Sequence, residues 1–208
     1  MKLYFDGDSF TYGGALHDQT HSLEHRWSKR ICNYFGAEET NLSKNGVSND
    51  HVLRHLFADG RNLEQYDIIF IQLTFPQRFH FWDNKKNKWR TYSTRSLEWS
   101  RDNNKLHNLD PKFIDFINYY ADHYYTDKLG MTNELIAYNS IVSHLKLLGK
   151  PFFISGLSNY GHIKYDLSFS KFKYMTVSKQ DLHPSILGHQ QIAKKVLSIL
   201  RNKYEDLF

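Results

Sequence analysis

The chain has 208 residues, a net charge of +5, and 40% hydrophobic and 24% charged residues. This length fits a single domain over residues 1–208, and the composition excludes a disordered, collagen-like or low-complexity chain. The one cysteine, Cys32, excludes an intrachain disulfide framework and a multi-cysteine zinc site. The chain shows neither a signal-peptide apolar segment nor the ~20-residue apolar stretch that crosses a bilayer, which predicts a cytoplasmic protein with no membrane partner.

The first half of the chain alternates apolar runs with helical periodicity. Strands are predicted at 2–6 and 39–42, and helices at 22–35 and around 52–57. Residues 67–73 (DIIFIQL) form an almost continuous apolar run. Such a run is typical of a central strand in a parallel sheet that is covered on both faces.

The second half continues the alternation. Helices are predicted at 110–125, 132–148 and 185–201, with a buried strand at 150–155 and a weaker strand at 172–177. Strands that alternate with helices predict an α/β sandwich built on a parallel sheet. Functional sites in such sheets lie at the carboxyl ends of the strands.

An aromatic and basic segment at about 76–106 interrupts this pattern. FHFW and WRTYS flank DNKKNK, which predicts a β-hairpin with a polar turn. A long insertion of this kind is usually a lid or a binding loop. Its aromatic and basic residues also suit contact with a carbohydrate or with single-stranded nucleic acid. Arg78 directly follows the central strand, where it is well placed to point into a site.

Two short motifs contain residues suited to nucleophilic catalysis. The first predicted strand runs into Gly7-Asp8-Ser9, and the last helix is preceded by Asp181-Leu182-His183-Pro184. A serine hydroxyl needs a neighbouring base, and a histidine needs an acceptor that fixes its tautomer. Taken alone, the position of Ser9 predicts only a helix N-cap. The two motifs together are more specific than either one alone.

With these blocks the chain resembles the SGNH (GDSL-like) hydrolase family. The first block is matched by Gly7-Asp8-Ser9, the second by the loop Asn41–Asn49, which contains Gly46, and the last by Asp181, His183 and Pro184. The blocks occur in the family's order. The resemblance implies a three-layer α/β/α sandwich with a parallel, flavodoxin-like sheet.

The resemblance also implies roles for individual residues. Ser9 would be the nucleophile, His183 the general base and Asp181 its orienting acid. The backbone N–H groups of Ser9 and Gly46 would donate to the oxyanion, and Asn49 would lie in the same binding region. Neither a cofactor nor a metal is implied.

The chain departs from the family pattern at two places. The third block normally supplies an asparagine donor, but residues 72–78 contain none, which leaves Gln72, Thr74 and Arg78 as alternatives. Losing one such donor typically costs ~10²–10³ in rate. The family's acid usually lies three residues before the histidine, where this chain has Gln180, whereas Asp181 lies two before.

The remaining histidine groups are interpreted as solvated. His17, His21 and His25 recur every four residues, as do His51 and His55. No cysteine or tight carboxylate cluster accompanies them, so no metal site is predicted.

The function that these observations favour is a serine esterase or deacetylase that cleaves an O-acyl group from a small molecule or a carbohydrate. The alternatives are an acyltransferase of the same fold and a non-catalytic glycan- or nucleic-acid-binding protein with a degraded oxyanion site.

Overall fold

The structure, a computed structural model, describes residues 1–16, 23–57, 61–93, 111–158, 161, 163–179 and 181–207. The strands are β1 (Lys2–Asp6), β2 (Glu38–Asn41), β3 (Ile68–Leu73), β4 (Arg78–Asp83), β5 (Lys88–Ser93), β6 (Phe152–Gly156) and β7 (Leu167–Ser168). The α-helices are α1 (Ser9–Tyr12), α2 (Trp27–Phe35), α3 (Asn49–Phe57), α4 (Pro111–His123), α5 (Asp127–Leu148) and α6 (Ile186–Lys203). Short 3-10 helices cover Gly14–Leu16, Leu23–His25, Leu63–Gln65 and Glu205–Leu207.

Five strands form a parallel sheet in the order β2-β1-β3-β6-β7. The predicted central strand, β3, is in the middle of this order, and all of its residues are buried. The strand order is that of flavodoxin-like sheets. The predicted α/β fold with a parallel sheet is therefore confirmed.

Helices cover both faces of the sheet. Phe5, Phe70 and Phe153 point to one face, where they pack with residues of α2 and α6. Ile69 and Ile71 point to the other face, where they pack with residues of α3 and α5. Successive side chains of a strand alternate between faces, so a strand with both faces covered must be apolar throughout. This is why β3 has a continuous apolar sequence.

The predicted hairpin is present. Strands β4 and β5 are antiparallel, and Trp82 lies directly opposite Trp89. One face of the hairpin, which carries Phe79 and Phe81, packs on Ile117 of α4 and its neighbours. The opposite face begins with Arg78 at the carboxyl end of β3. Residues 94–106 of the predicted segment lie outside the described residues.

The weaker strand predicted at 172–177 is wrong. The fifth strand of the sheet is β7 instead. Between 172 and 177 the backbone bonds to the loop that precedes α6: Ser185 N donates to the carbonyl of Met175, and Val177 N donates to the carbonyl of His183. Because its backbone groups are already hydrogen-bonded to this loop, segment 172–177 stabilises the loop that carries His183 and does not extend the sheet.

None of the helices in the described part of the chain is long and apolar enough to cross a bilayer.

Candidate active site

Ser9 lies where β1 ends and α1 begins. Its side chain is buried, and it is the first residue of the helix, after the N-cap Asp8. The backbone crosses close to β3 at Gly7, where an added Cβ would lie 2.6 Å from Cβ of Gln72. Only a residue without a side chain fits this crossing. The glycine therefore allows the serine to reach the carboxyl edge of the sheet.

The loop before α6 brings the histidine and the aspartate to the same edge. His183 Nε2 lies 2.9 Å from Ser9 Oγ, and His183 Nδ1 lies 2.6 Å from Asp181 Oδ1. The backbone N–H of His183 donates to the same carboxylate oxygen at 3.0 Å. The bridge between Thr176 and Pro184 holds this loop in place. Ser9 and a histidine and aspartate from the far end of the chain thus form one connected chain of hydrogen bonds.

The electrostatics of this chain favour a charged aspartate. Burial opposes the ionised form, but the hydrogen bonds from the backbone and ring of His183 outweigh it and lower the pKa of the Asp181 carboxyl. A carboxylate accepts a hydrogen bond from Nδ1–H of His183, which leaves Nε2 as an acceptor. Nε2 then faces the hydroxyl of Ser9. In this arrangement the imidazole is able to take the hydroxyl proton.

A cavity of about 530 Å³ opens at Ser9 and His183. Most of its walls are apolar or aromatic and are formed by Phe10, Phe75, Leu157, Phe169, Tyr174 and Leu182. Burial, together with the negative charge of Asp8, raises the pKa of Tyr174 to about 12. Tyr174 therefore stays neutral at physiological pH. The cavity excludes much of the solvent from the serine hydroxyl.

Asp8 connects the three residues that the sequence offered as substitutes for the missing asparagine. Its carboxylate is fully buried and accepts from Gln72 Nε2 at 2.6 Å, from Thr74 Oγ1 at 2.7 Å and from Arg78 Nη1 at 2.8 Å. It also caps α1 by accepting from the N–H of Phe10 at 3.0 Å. One amide hydrogen of Gln72 and the hydroxyl hydrogen of Thr74 are thus directed toward Asp8.

Among these three, Arg78 is the one that lines the Ser9 cavity. Its Nη1 also contacts the carbonyl of Val47 at 3.1 Å and the hydroxyl of Thr74 at 2.6 Å. Within the described residues, Nη2 and Nε of Arg78 have no hydrogen-bond acceptor. A guanidinium held at one nitrogen keeps donors for a ligand at the others.

The two remaining predicted residues lie in the loop between β2 and α3. Asn49 accepts from the backbone N–H of Thr74 at 2.7 Å, so it supports the end of β3. Gly46 is exposed, and its φ of 71° favours glycine. Beside it, Asn45 packs against Gly14 next to Ser9: a Cβ on Gly14 would lie 2.5 Å from Asn45 Oδ1 and 3.0 Å from Ser9 Cβ. The loop therefore approaches the serine.

The interpretation of His51 and His55 as a solvated pair is wrong, because both are buried. His55 Nδ1 lies 2.8 Å from Asp6 Oδ2, and Arg54 Nη2 lies 3.0 Å from His51 Nδ1. Asp6, His51 and His55 place three potential metal ligands within 4.8 Å of one another, but the cationic Arg54 beside them opposes a further positive charge. His51 and His55 share a helix face with Val52, and this pattern would have indicated burial. His25 is partly buried at the end of a 3-10 helix, while His17 and His21 lie outside the described residues, as does Gln180.

No protein-family model and no curated protein sequence matches the chain. Several solved structures do match. The acetyl xylan esterase Est2A of the rumen bacterium Butyrivibrio proteoclasticus matches with a TM-score of 0.53 at 16% identity, over 100% of this chain and 65% of that chain. A carbohydrate esterase whose active site displays divergent catalytic and non-catalytic binding functions matches with a TM-score of 0.60 at 15% identity, over 100% and 66%.

A lipase from a goat rumen metagenome matches with a TM-score of 0.52 at 12% identity, over 96% of this chain and 97% of that chain. The chain spans just under two thirds of the length of the two carbohydrate esterases. At these identities the likeness is one of fold. The parallel sheet, its flanking helices and these neighbours together show that the chain has the α/β/α fold of the SGNH hydrolases.

Proposed function

We propose that the chain hydrolyses carboxylic esters through an acyl-enzyme on Ser9. The observation that carries this proposal is the continuous contact from Ser9 Oγ through His183 to Asp181. A protein that only binds its ligand has no need of a serine, a histidine and an aspartate aligned in this way.

The reaction proceeds in two halves. Ser9 Oγ attacks the ester carbonyl carbon while its proton passes to His183 Nε2. His183 then gives that proton to the departing alcohol oxygen as the carbon–oxygen bond breaks, which leaves the acyl group on Ser9. His183 then deprotonates a water molecule that attacks the acyl carbon. It returns this proton to Ser9 Oγ as the bond from the acyl carbon to Oγ breaks and the carboxylic acid leaves. When a sugar hydroxyl takes the place of water, the same steps transfer the acyl group.

The oxyanion that forms in each half needs donors. Ser9 begins α1, so its backbone N–H has no acceptor inside the helix. We assign a second N–H to Gly46 and the third donor to Arg78, which replaces the asparagine of the family. Arg78 lines the Ser9 cavity and is fixed by its ion pair with Asp8. A cationic donor in a partly enclosed cavity stabilises developing negative charge well.

A non-catalytic binding protein is the second candidate. The absent asparagine and the use of Gln72 and Thr74 by Asp8 favour it, because both reduce the number of free donors near Ser9. In this case the cavity holds an ester or a glycan without turnover.

Labelling with a fluorophosphonate, read by intact mass and peptide mapping, separates the two candidates. We expect one adduct on Ser9 in the wild type and none in Ser9→Ala. Ser170→Ala is the matched control, because Ser170 lines the same cavity but its hydroxyl bonds to Ser168 and to the carbonyl of Ser158. It is expected to label normally. An unlabelled but folded wild type would reject the hydrolase and favour the binding protein.

A further inference from the structure

A second cavity, of about 590 Å³, lies between the hairpin, α3 and α5. We call it the hairpin cavity. Leu53, Phe57 and Trp89 form its apolar walls, and Asp50, Arg54, His80 and Ser140 add polar groups. Cavities with mostly apolar walls and a few convergent polar groups are the usual ligand sites of proteins.

The hairpin cavity lies beside the Ser9 cavity. His80, in its wall, is two residues from Arg78 on the same face of β4. Two residues along a strand span about 6.6–6.8 Å. Asp50, also in its wall, directly follows Asn49, which bonds to the end of β3. A ligand longer than a simple ester would be long enough to span this spacing.

Trp89 is held in place but remains accessible. The Arg54 guanidinium lies 4.9 Å from the centre of its ring, and the His80 ring lies 5.8 Å away in a near-parallel orientation. Even so, 45% of the Trp89 surface is exposed. An indole that is fixed by its neighbours offers an apolar platform without further loss of side-chain entropy on binding.

The charges in the walls favour a neutral ligand. Arg54 carries a positive charge, and Asp50 offers a carboxylate in the same cavity. Burial and the nearby Arg54 lower the pKa of His80 to about 4, so this ring is uncharged at neutral pH. Among the described residues of these walls, a nucleic-acid strand would meet one positive charge, that of Arg54, and the carboxylate of Asp50 would repel its phosphates. An acyl chain would cover the four polar groups without offering any of them a hydrogen bond.

A sugar ring matches both properties of the walls. Its C–H face packs on an aromatic ring, and its hydroxyl groups both donate and accept hydrogen bonds. We propose that the hairpin cavity binds a neutral glycan, which is the alcohol part of the ester that reaches Ser9. The link to ester cleavage rests on the proposed function, whereas the binding of the glycan does not.

The first test compares Trp89→Ala with Trp82→Ala. The two tryptophans are directly paired across the hairpin and are 45% and 44% exposed, but only Trp89 lines the hairpin cavity. The substrates are p-nitrophenyl acetate, which fills only the Ser9 cavity, and acetylated xylo- and manno-oligosaccharides. We expect Trp89→Ala to raise KM for an acetylated oligosaccharide about tenfold and to leave p-nitrophenyl acetate hydrolysis unchanged. Trp82→Ala removes an edge contact with Trp89, at 5.4 Å between ring centres, but no wall of the cavity, and it should raise this KM much less. Equal effects of the two variants, or an equal loss on both substrates, would overturn the proposal.

The second test does not require turnover. Unacetylated xylohexaose, cellohexaose and mannohexaose are titrated into Ser9→Ala, with binding followed by tryptophan fluorescence and calorimetry. We expect at least one to bind, with the affinity lost in Ser9→Ala combined with Trp89→Ala and retained with Trp82→Ala. If none binds, the glycan proposal is rejected even if simple esters are cleaved. If one binds in this way while the wild type cleaves no ester, the proposed function fails and the glycan site remains. Tighter binding of a single-stranded oligonucleotide that weakens steeply with salt would reject the neutral glycan.

Discussion

Replacing Asp8 by asparagine tests whether one buried carboxylate organises the candidate site. Asp8 is fully buried, and its ion-pair partner Arg78 has a side chain that is only 17% exposed. Removing one partner of such a pair leaves an uncompensated charge and costs about 3–5 kcal/mol. The new amide would also point a donor at Thr74 or Arg78, which are donors themselves. We therefore expect Asp8→Asn to lose about 3–5 kcal/mol, a large part of the ~5–15 kcal/mol that stabilises a typical domain.

The assay is urea unfolding at pH 7, followed by tryptophan fluorescence. Glu38→Gln is the control, because Glu38 pairs with Lys2 at 3.9 Å with side chains that are 68% and 50% exposed, so its loss should cost much less. Combining Asp8→Asn with Arg78→Met should restore part of the stability, since no unpaired charge remains. A loss below about 1 kcal/mol for Asp8→Asn, which is the range of exposed pairs, would refute the reasoning. So would a double variant that is no more stable than the single one.

Three further predictions concern the loop that carries Asp181 and His183 and the helix α6 that follows it. Asp181→Asn should lower kcat by between tenfold and about 10⁴-fold with the fold intact, because His183 loses the acceptor that fixes its tautomer. If kcat in steady-state ester assays is unchanged, Asp181 has no role in the reaction. Gly188→Ala should lower both kcat and the melting temperature, because the added Cβ would collide with the carbonyl oxygen of Met175, in the segment that bonds to the loop of His183. Gly161→Ala meets open space and should be neutral in the same assays. His189 is buried, and burial lowers its pKa to about 3, so below pH ~6.5 the unfolded chain binds a proton that the folded chain does not. The free energy of unfolding should thus fall as the pH drops from 7 to 5, by up to about 1.4 kcal/mol per pH unit from this residue, and a His189→Gln variant that shows the same slope in urea titrations would contradict this.

The sequence determined the order and type of most elements. The continuous apolar run of β3 required a strand with both faces covered, and the structure places it at the centre of the sheet. The sequence also predicted the hairpin, because two aromatic segments flank a polar turn. These features are local: they depend on which residues follow one another within about ten positions. The order of the family's blocks then indicated which fold the elements build.

The tertiary structure decided how distant residues pair. Periodicity gives the face of an element but not its partner, so it did not show that His55 is buried against Asp6. It also did not show that 172–177 bonds to the loop before α6 and leaves the edge of the sheet to β7.

The candidate site shows the same division. The sequence named Ser9, Asp181 and His183, but only the fold brings Ser9 within 2.9 Å of a histidine 174 positions away. The proposal of Arg78 as the substitute donor likewise needed the fold, because Asp8 engages all three candidates and, of the three, Arg78 lines the cavity. A buried carboxylate needs hydrogen-bond donors, and these come from residues that only the packed chain brings close to it. Neither the composition nor the spacing of the sequence identifies those residues.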